Sequence, residues 1–470
     1  MVFKFCLFVI LSLFIVFAGT SASIWPDDQD GVNYLLGIDQ YDLTSHQPHF
    51  PGYPLYVAIG KLFTIFSESP ESACVFLSVF SGTICLWLMS VMVQQTNSHQ
   101  TSLLCTAALA VNPAFFEFSH KIFTEMPALA LLISAITLLG NPVIASSFKW
   151  FSAALFFGLM LGVRLSWWPF ALFYLINGIR RGKGSSAFIG LLLGVFFWLF
   201  PQTAVVGARE LFTTGTSFVY GHFDQWGGAM GSELEADHRF LLFAIRTGEA
   251  FGWIGSGMIF TRLPWIAFTI SGIFMVLNKW NCYNAQIKTF CGAGLFYMLW
   301  AISGQNPEKV RHLLPLVPVF VLALSPFIEK HKKMATATIL IFSFSLLSDY
   351  SFRTQNNPPA VQFLNWSNSS PIVDAEFYCG DSERFFDRYP SKQRIKNVDQ
   401  IGNLQFVVKS SWPKPVKSFV CDDIPGFIPT GKPIKIFHAR RGDPVDRTLR
   451  FYNLADELNA LWTNFKTERR

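Results

Sequence analysis

Charge is what this chain has little of. Of 470 residues only 68 are Asp, Glu, Lys or Arg, 14% where a soluble domain carries roughly 25%. Half of the chain is hydrophobic (51%), with 50 Phe and 14 Trp, and the mean hydropathy is +0.35. No compact core hides so much apolar surface without charged faces between, so the chain needs a bilayer as solvent. This excludes a disordered chain, a disulfide-built secreted domain and a water-soluble enzyme. No CxxC or CxxH spacing occurs, so no dedicated zinc site is legible, and the lack of a Walker loop excludes an ATP-driven pump. Cys6, Cys74, Cys85, Cys105, Cys282 and Cys291 lie in or beside apolar runs, where a thiol acts as a small hydrophobe. Cys379 and Cys421 fall in a polar tail, where an oxidising compartment would allow a disulfide. The net charge of +6 is diffuse, and its longest basic run is Lys330-His331-Lys332-Lys333, which argues against a nucleic-acid partner.

The scarce charge is unevenly spread: residues 351–470 hold 31 of the 68 charged residues. The chain therefore reads as a membrane body, residues 1–350, and a tail, residues 351–470, long enough to fold by itself. Apolar runs at 5–22, 72–93, 102–118, 125–140, 148–163, 165–179, 185–206, 263–278, 289–303, 312–327 and 335–348 suggest about eleven transmembrane helices, several of them short. If Lys4 is cytoplasmic, then Lys149, Arg180, Arg181, Lys183, Lys279, Lys288, Lys330, Lys332 and Lys333 fall on the inner side, as the positive-inside rule requires. The tail is then outside, and so is a first external loop, residues 23–71. Thr20-Ser21-Ala22 also offers a signal-peptide cleavage site, and cleavage there leaves the downstream orientation unchanged.

The first loop is crowded with carboxylates: Asp27, Asp28, Asp30, Asp39 and Asp42. Val32, Leu35, Leu36 and Ile38 suit a short interfacial helix, with Asp30 at the end where the helix dipole favours an anion. Pro48, Pro51 and Pro54 forbid helix and fix a rigid turn around Gly52. A solvated acidic loop with a structural turn is the plain alternative. Beyond it, residues 207–262 are too charged to be one more span, and their apolar stretches 240–245 and 251–254 read as interfacial helices. In the tail, 371–374, 404–408 and 434–437 look like strands, and 382–388 and 449–466 like helices, giving a small α/β domain. The sequons at Asn365 and Asn368 matter only in a eukaryotic secretory compartment.

Two pieces of the first loop carry a resemblance: Asp30-Gly31-Val32-Asn33-Tyr34, and Pro48-His49-Phe50-Pro51-Gly52-Tyr53-Pro54-Leu55-Tyr56. Together they resemble the first external loop of bacterial GT-C class integral-membrane glycosyltransferases, relatives of the dolichyl-phosphate-mannose-protein mannosyltransferase family. Phe50 stands where the relatives often have Pro, and Gly31 replaces the second acid of an Asp-Glu pair. Ser119 to Pro127, Gly158 to Arg164, Tyr220 to Gly228 and Val310 to Pro318 resemble further stretches of the class, and the hydropathy map sets all of them near the outer face.

The resemblance implies sugar transfer from a polyprenyl-phosphate-linked donor to a lipid, glycan or protein acceptor at the outer face of a bacterial inner membrane. A carboxylate would orient or deprotonate the acceptor hydroxyl, with Asp30 the leading candidate. Glu125, Asp42 or Asp39 would face the oxocarbenium-like centre. Arg311, Arg164, His312, His222 and Lys121 would meet the leaving phosphate, and Asn33, Tyr34, His49 and Tyr53 would line the substrate site. Arg164 and Arg311 also read as span-end residues snorkelling to headgroups, Lys121 as an interfacial charge, Glu125 as a helix-end carboxylate, and His46, His49 and Trp226 as interface anchors. No resident cofactor is legible, although Asp30 and a second carboxylate suffice chemically for a divalent cation. The rival reading is a transporter or flippase of a lipid-linked sugar, for which the sequence shows no internal repeat.

Overall fold

The computed structural model describes residues 1–224, 228–231, 236–255, 259–353, 357–369, 375–380, 383–391, 393–398, 403–404, 417–424, 427–438 and 448–457. The chain divides into two compact units, Met1–Ile24 with Gly37–Ser351, and Trp25–Leu36 with Phe352–Arg470.

In chain order the helices of the first unit are α1 (Val2–Ser21), α2 (Gln29–Asp39), within which the division falls, α3 (Pro54–Phe63), α4 (Pro70–Gln94), α5 (His99–Ala110), α6 (Pro113–Phe118), α7 (Glu125–Leu139) and α8 (Ser147–Val163). They continue with α9 (Trp168–Arg180), α10 (Gly184–Val206), α11 (Ala208–Asp224), α12 (Ala236–Ala250), α13 (Ile259–Asn278), α14 (Ala285–Gly304), α15 (Leu316–Lys330) and α16 (Lys332–Arg353). Polar residues set the starts: the side chains of Ser69, Ser98, Asn112, Ser146 and Asn284 accept backbone N–H groups of α4, α5, α6, α8 and α14. Among the described residues four helices, α1, α4, α10 and α13, are long and apolar enough to cross a membrane.

One expected span is interrupted. The run 102–118 is two helices, because Asn112 caps a new start and Pro113 takes its first position. The stretch 251–254 is a turn that follows α12 and not a helix.

Packing of α8 on α10 uses glycine. A Cβ on Gly158, Gly190 or Gly194 would run into the carbonyl of Leu191, Phe151 or Leu155, so the two backbones touch, as in small-residue interfaces between membrane helices. The opposite face of α10 exposes Phe188, Leu192, Phe196 and Phe200, which suits lipid.

The second unit is an α/β domain. Its five strands are β1 (Glu376–Cys379), β2 (Arg394–Asn397), β3 (Ser418–Cys421), β4 (Lys435–Phe437) and β5 (Leu449–Asn453), in sheet order β2-β1-β3-β5-β4. β1 runs parallel to β2 and β3, while β5 is antiparallel to β3 and β4. Phe363 of α17 (Pro359–Ser369) stacks on Phe451 at 4.5 Å and anchors a core with Phe377, Phe386 and Phe437, beside which lies α18 (Glu383–Arg388).

The expected helix 449–466 is a strand over Leu449–Asn453. Leu449 and Phe451 point into the core while Arg450 lies between them on the other face, a period of two that a helix cannot serve. The expected strands 371–374 and 405–408 lie outside the described residues, as does Trp226. The first-loop helix exists as α2, and Val32 is built into the aromatic core of this second unit, with Leu36 and Trp25 packed against it.

Candidate active site

Three distant segments of the first unit bring charge together where helices begin or end. α7 opens on Glu125, whose carboxylate is fully buried at the positive end of the helix dipole. Arg164 caps the C-terminus of α8, and a 3-10 turn, Val310–Leu313, delivers Arg311 and His312 just before α15. Arg164 Nη2 lies 3.0 Å from Glu125 Oε1, and its Nη1 donates to Thr124 Oγ1 at 3.0 Å. Arg311 Nε approaches the same carboxylate oxygen at 3.7 Å, with its guanidinium 5.2 Å from the Phe123 ring centroid. His312 Nδ1 is 3.4 Å from Arg164 Nη2, and Tyr297 of α14 donates to the His312 carbonyl at 2.7 Å.

Arg164 is 4% exposed and Arg311 5%, so neither snorkels into headgroups. Burying three ions costs several kcal/mol each and persists only with close pairing. The result is two guanidinium groups that converge on one carboxylate oxygen, and each is a group that pairs well with phosphate oxygens. Lys121 is also buried, paired with Glu117 at 2.7 Å one helical turn away.

The proline-rich loop of the first unit is tied down separately. Gln202, on the α8-facing side of α10, donates to Tyr41 Oη at 2.9 Å and to the Pro51 carbonyl at 2.6 Å. Burial pushes the Tyr41 hydroxyl up to about 12, against the pull of the Gln202 bond. Tyr53 Oη and His49 Nε2 are 2.9 Å apart. The His49 ring stacks on Phe218 of α11, and Phe218 on His222, at 5.7 and 6.3 Å.

Asp42 closes the turn before this stretch. Its Oδ1 accepts from Thr44 N and Oγ1 at 2.9 and 2.7 Å, and Oδ2 from Ser45 Oγ at 2.6 Å. The Ser45 hydroxyl, then that of Thr44, holds its carboxyl down at about 2. Asp39 is exposed at the end of α2.

The segment 207–262 closes on the C-terminus of α14, whose last carbonyls have no partner within the helix. Arg239 Nε donates to Ile302 O at 2.6 Å and Nη2 to Gln305 O at 2.5 Å, while Nη1 donates to Gly228 O. Met230 N donates to Ser303 O at 2.9 Å, and His222 Nε2 to Gly304 O at 2.9 Å. Arg311 follows within a few residues, so this clasp also fixes the start of the turn that carries it.

In the second unit, Asp28 Oδ1 accepts Gly31 N at 2.9 Å and so caps α2. That leaves the cap to Asp28 and sets Asp30 in the first turn, one turn before Asn33 on the same face. Tyr34 is fully buried and Asn33 nearly so.

The structure thus gathers Glu125, Arg164, Arg311 and His312 into one cluster, and His49, Tyr53 and His222 into another. Asp30, Asn33 and Tyr34 belong to the other unit. Sequence reasoning overlooked Thr124, Tyr297, Gln202 and the three-carbonyl role of Arg239. Only Thr124 carried a signal, standing beside Glu125 inside a motif already singled out.

Among solved structures the chain resembles ArnT from Cupriavidus metallidurans bound to undecaprenyl phosphate, with 9% identity, a TM-score of 0.57, and 94% of this chain and 97% of that one covered. The apo form of the same ArnT matches over the same shares at 10% identity and a TM-score of 0.55. The chain has the fold of the GT-C membrane glycosyltransferases. The Archaeoglobus fulgidus oligosaccharyltransferase AglB, in complex with an inhibitory peptide and a dolichol-phosphate, matches at 10% identity with a TM-score of 0.46, over 89% of this chain and 69% of that one. No protein-family model and no curated protein matches the chain by sequence. Among the described residues no three His, Cys, Asp or Glu side chains group as metal ligands would.

Proposed function

We propose that this chain is a membrane glycosyltransferase that moves a sugar from a polyprenyl-phosphate-linked donor to an acceptor at the outer face of a bacterial inner membrane. The observation that carries the reading is the buried pair of guanidinium groups, Arg164 and Arg311, held on Glu125. The fold is one in which ArnT has been crystallised with undecaprenyl phosphate, and that supports a lipid phosphate as the group these arginines meet.

In the proposed reaction the bond between the sugar's anomeric carbon and the phosphate oxygen breaks, and charge builds on the phosphate. Arg164 and Arg311, fixed before the reaction starts, stabilise that charge without reorganising. The acceptor hydroxyl attacks the anomeric carbon and gives its proton to a carboxylate. The sequence resemblance nominates Asp30 for this role. Asp42 is the weaker base, because its carboxyl titrates at about 2 and both oxygens hold the turn. Glu125, gripped between two arginines, holds them in place.

The charges support this sidedness. Lys149 at the start of α8, Arg180 and Lys183 at the turn between α9 and α10, and Lys279, Lys288 and Lys330 mark one set of helix ends. Lys183 Nζ donates to Ser147 Oγ at 3.3 Å, which places the first three at a common end. The arginine cluster sits at the opposite helix ends, which under the positive-inside rule supports an outer-face site.

The test is transfer from a labelled polyprenyl-phosphate hexose, mannose first, to acceptors in native membrane extract. Asp30→Asn should lower the rate by about 10²–10⁴-fold at unchanged protein level, the usual contribution of a general base. Asp42→Asn should leave most of it. Undiminished transfer by Asp30→Asn would remove Asp30 from the mechanism, and loss on changing Asp42 instead would move the base there.

A further inference from the structure

The C-terminal unit contains a pair of side chains that the transfer reaction does not use. β1 and β3 run parallel with Glu376 opposite Ser418, Phe377 opposite Phe419 and Tyr378 opposite Val420, so the next rung of the ladder is Cys379 and Cys421. Side chains on one rung leave a sheet on the same face, and both cysteines share one apolar cluster with Phe363, Phe377, Phe419 and Phe451. Both are fully buried, and their thiols are in hydrogen-bond contact. Adjacent strands lie about 4.7–4.9 Å apart, inside the range of about 4.4–6.8 Å that Cα atoms span across a disulfide. The surrounding backbone is held on both sides. Val398 N donates to Cys379 O at 2.9 Å, Gly380 N to Asp423 Oδ1 at 2.9 Å, and Asp422 N to Arg450 O at 3.0 Å.

We propose that Cys379 and Cys421 are joined by a disulfide in the working protein, formed while the C-terminal domain folds outside the cell membrane. The compartment rests on the outer-face reading above; the pairing rests on the strand register. One thiolate attacks a disulfide-bearing oxidant, giving a mixed disulfide and releasing the oxidant's first thiol. The second thiolate then attacks the mixed disulfide, which forms the S–S bond and releases the oxidant's second thiol. Two electrons and both protons leave with the oxidant. Burial pushes the Cys421 thiol well above its ordinary value, and the contact with Cys379 adds to this. Attacking thiolate is therefore scarce once the strands have closed, which assigns the bond to folding and not to a reversible switch. The bond would tie β1 to β3 and close the chain between residues 379 and 421.

The experiment uses the full chain in its membrane. Cells are lysed in denaturant with excess iodoacetamide and no reductant, and the digest is read by mass spectrometry. The expected result is a linked, unalkylated pair of peptides holding Cys379 and Cys421, beside alkylated Cys74 and Cys105. Cys379→Ser should leave Cys421 alkylated. Alkylation of both in the unaltered chain would overturn the proposal. Protease accessibility of the tail in sealed vesicles of known orientation then separates the causes: alkylated thiols on an outer tail sink the disulfide alone, and alkylated thiols on an inner tail sink it together with the outer-face reading.

Discussion

Replacing Glu125 by Gln keeps the shape of the buried cluster and removes its negative charge. At an effective dielectric of about 20, the carboxylate attracts Arg164 at 3.0 Å by about 5.5 kcal/mol and Arg311 at 3.7 Å by about 4.5 kcal/mol. These are gross terms, offset by several kcal/mol of desolvation for each of the three ions. What the substitution exposes is the cost of two buried guanidinium groups without their shared counter-charge, about 3–5 kcal/mol by analogy with other broken buried pairs. The purified Glu125→Gln protein should therefore unfold in detergent at a clearly lower temperature than the parent, followed by tryptophan fluorescence. Undecaprenyl phosphate should stabilise it at least as strongly as the parent, because the phosphate supplies charge to the same arginines; a ligand at about 100 times its Kd adds about 2.7 kcal/mol. Arg164→Gln and Arg311→Gln should lose that stabilisation. The reasoning fails if Glu125→Gln melts like the parent, or if it loses the lipid-phosphate effect while the arginine variants keep it.

The Asp42 turn should depend on pH with a defined sign. Its folded value of about 2 lies below the ordinary 3.8, so its contribution is complete above the ordinary value and is lost as pH falls toward 2. Exchange protection of the Thr44 and Ser45 amides, which donate to Asp42 Oδ1, should fall over that interval, and protection that stays level would contradict the assignment. In the α8 and α10 pair, Gly194→Val forces its side chain against the Leu155 carbonyl. It should separate the two helices and sharply reduce the yield of folded protein, whereas a substitution at exposed Phe196 should be tolerated; equal yields would refute close backbone packing.

Much of the membrane unit was legible because its signals are local. Long apolar runs are such signals, because each lies along the helix it predicts. The break at Asn112-Pro113 was missed, because apolar residues flank it on both sides. The site was legible in part. Glu125, Arg164, Arg311 and His312 each stood in a recognisable stretch, but their meeting on one carboxylate is a product of folding over long sequence distances. Gln202 and Arg239 bind backbone carbonyls, and such partners leave no pattern in a sequence. The place of residues 25–36 was hidden for the same reason. Val32 and Leu36 read as the apolar side of a short helix, and the aromatic core that receives them lies more than 300 residues on in the sequence. At Leu449 a period of two and a helical stripe both fit five residues, and pairing with β3 and β4 decided for the strand.

The central claim is that this chain transfers sugar and does not merely carry it. Purified protein in sealed vesicles, given a labelled polyprenyl-phosphate hexose in the leaflet facing the acceptor, should convert the label into acceptor-bound sugar and release free polyprenyl phosphate. Movement of the intact donor between leaflets, with no free polyprenyl phosphate formed, would contradict the account and leave a transporter in its place.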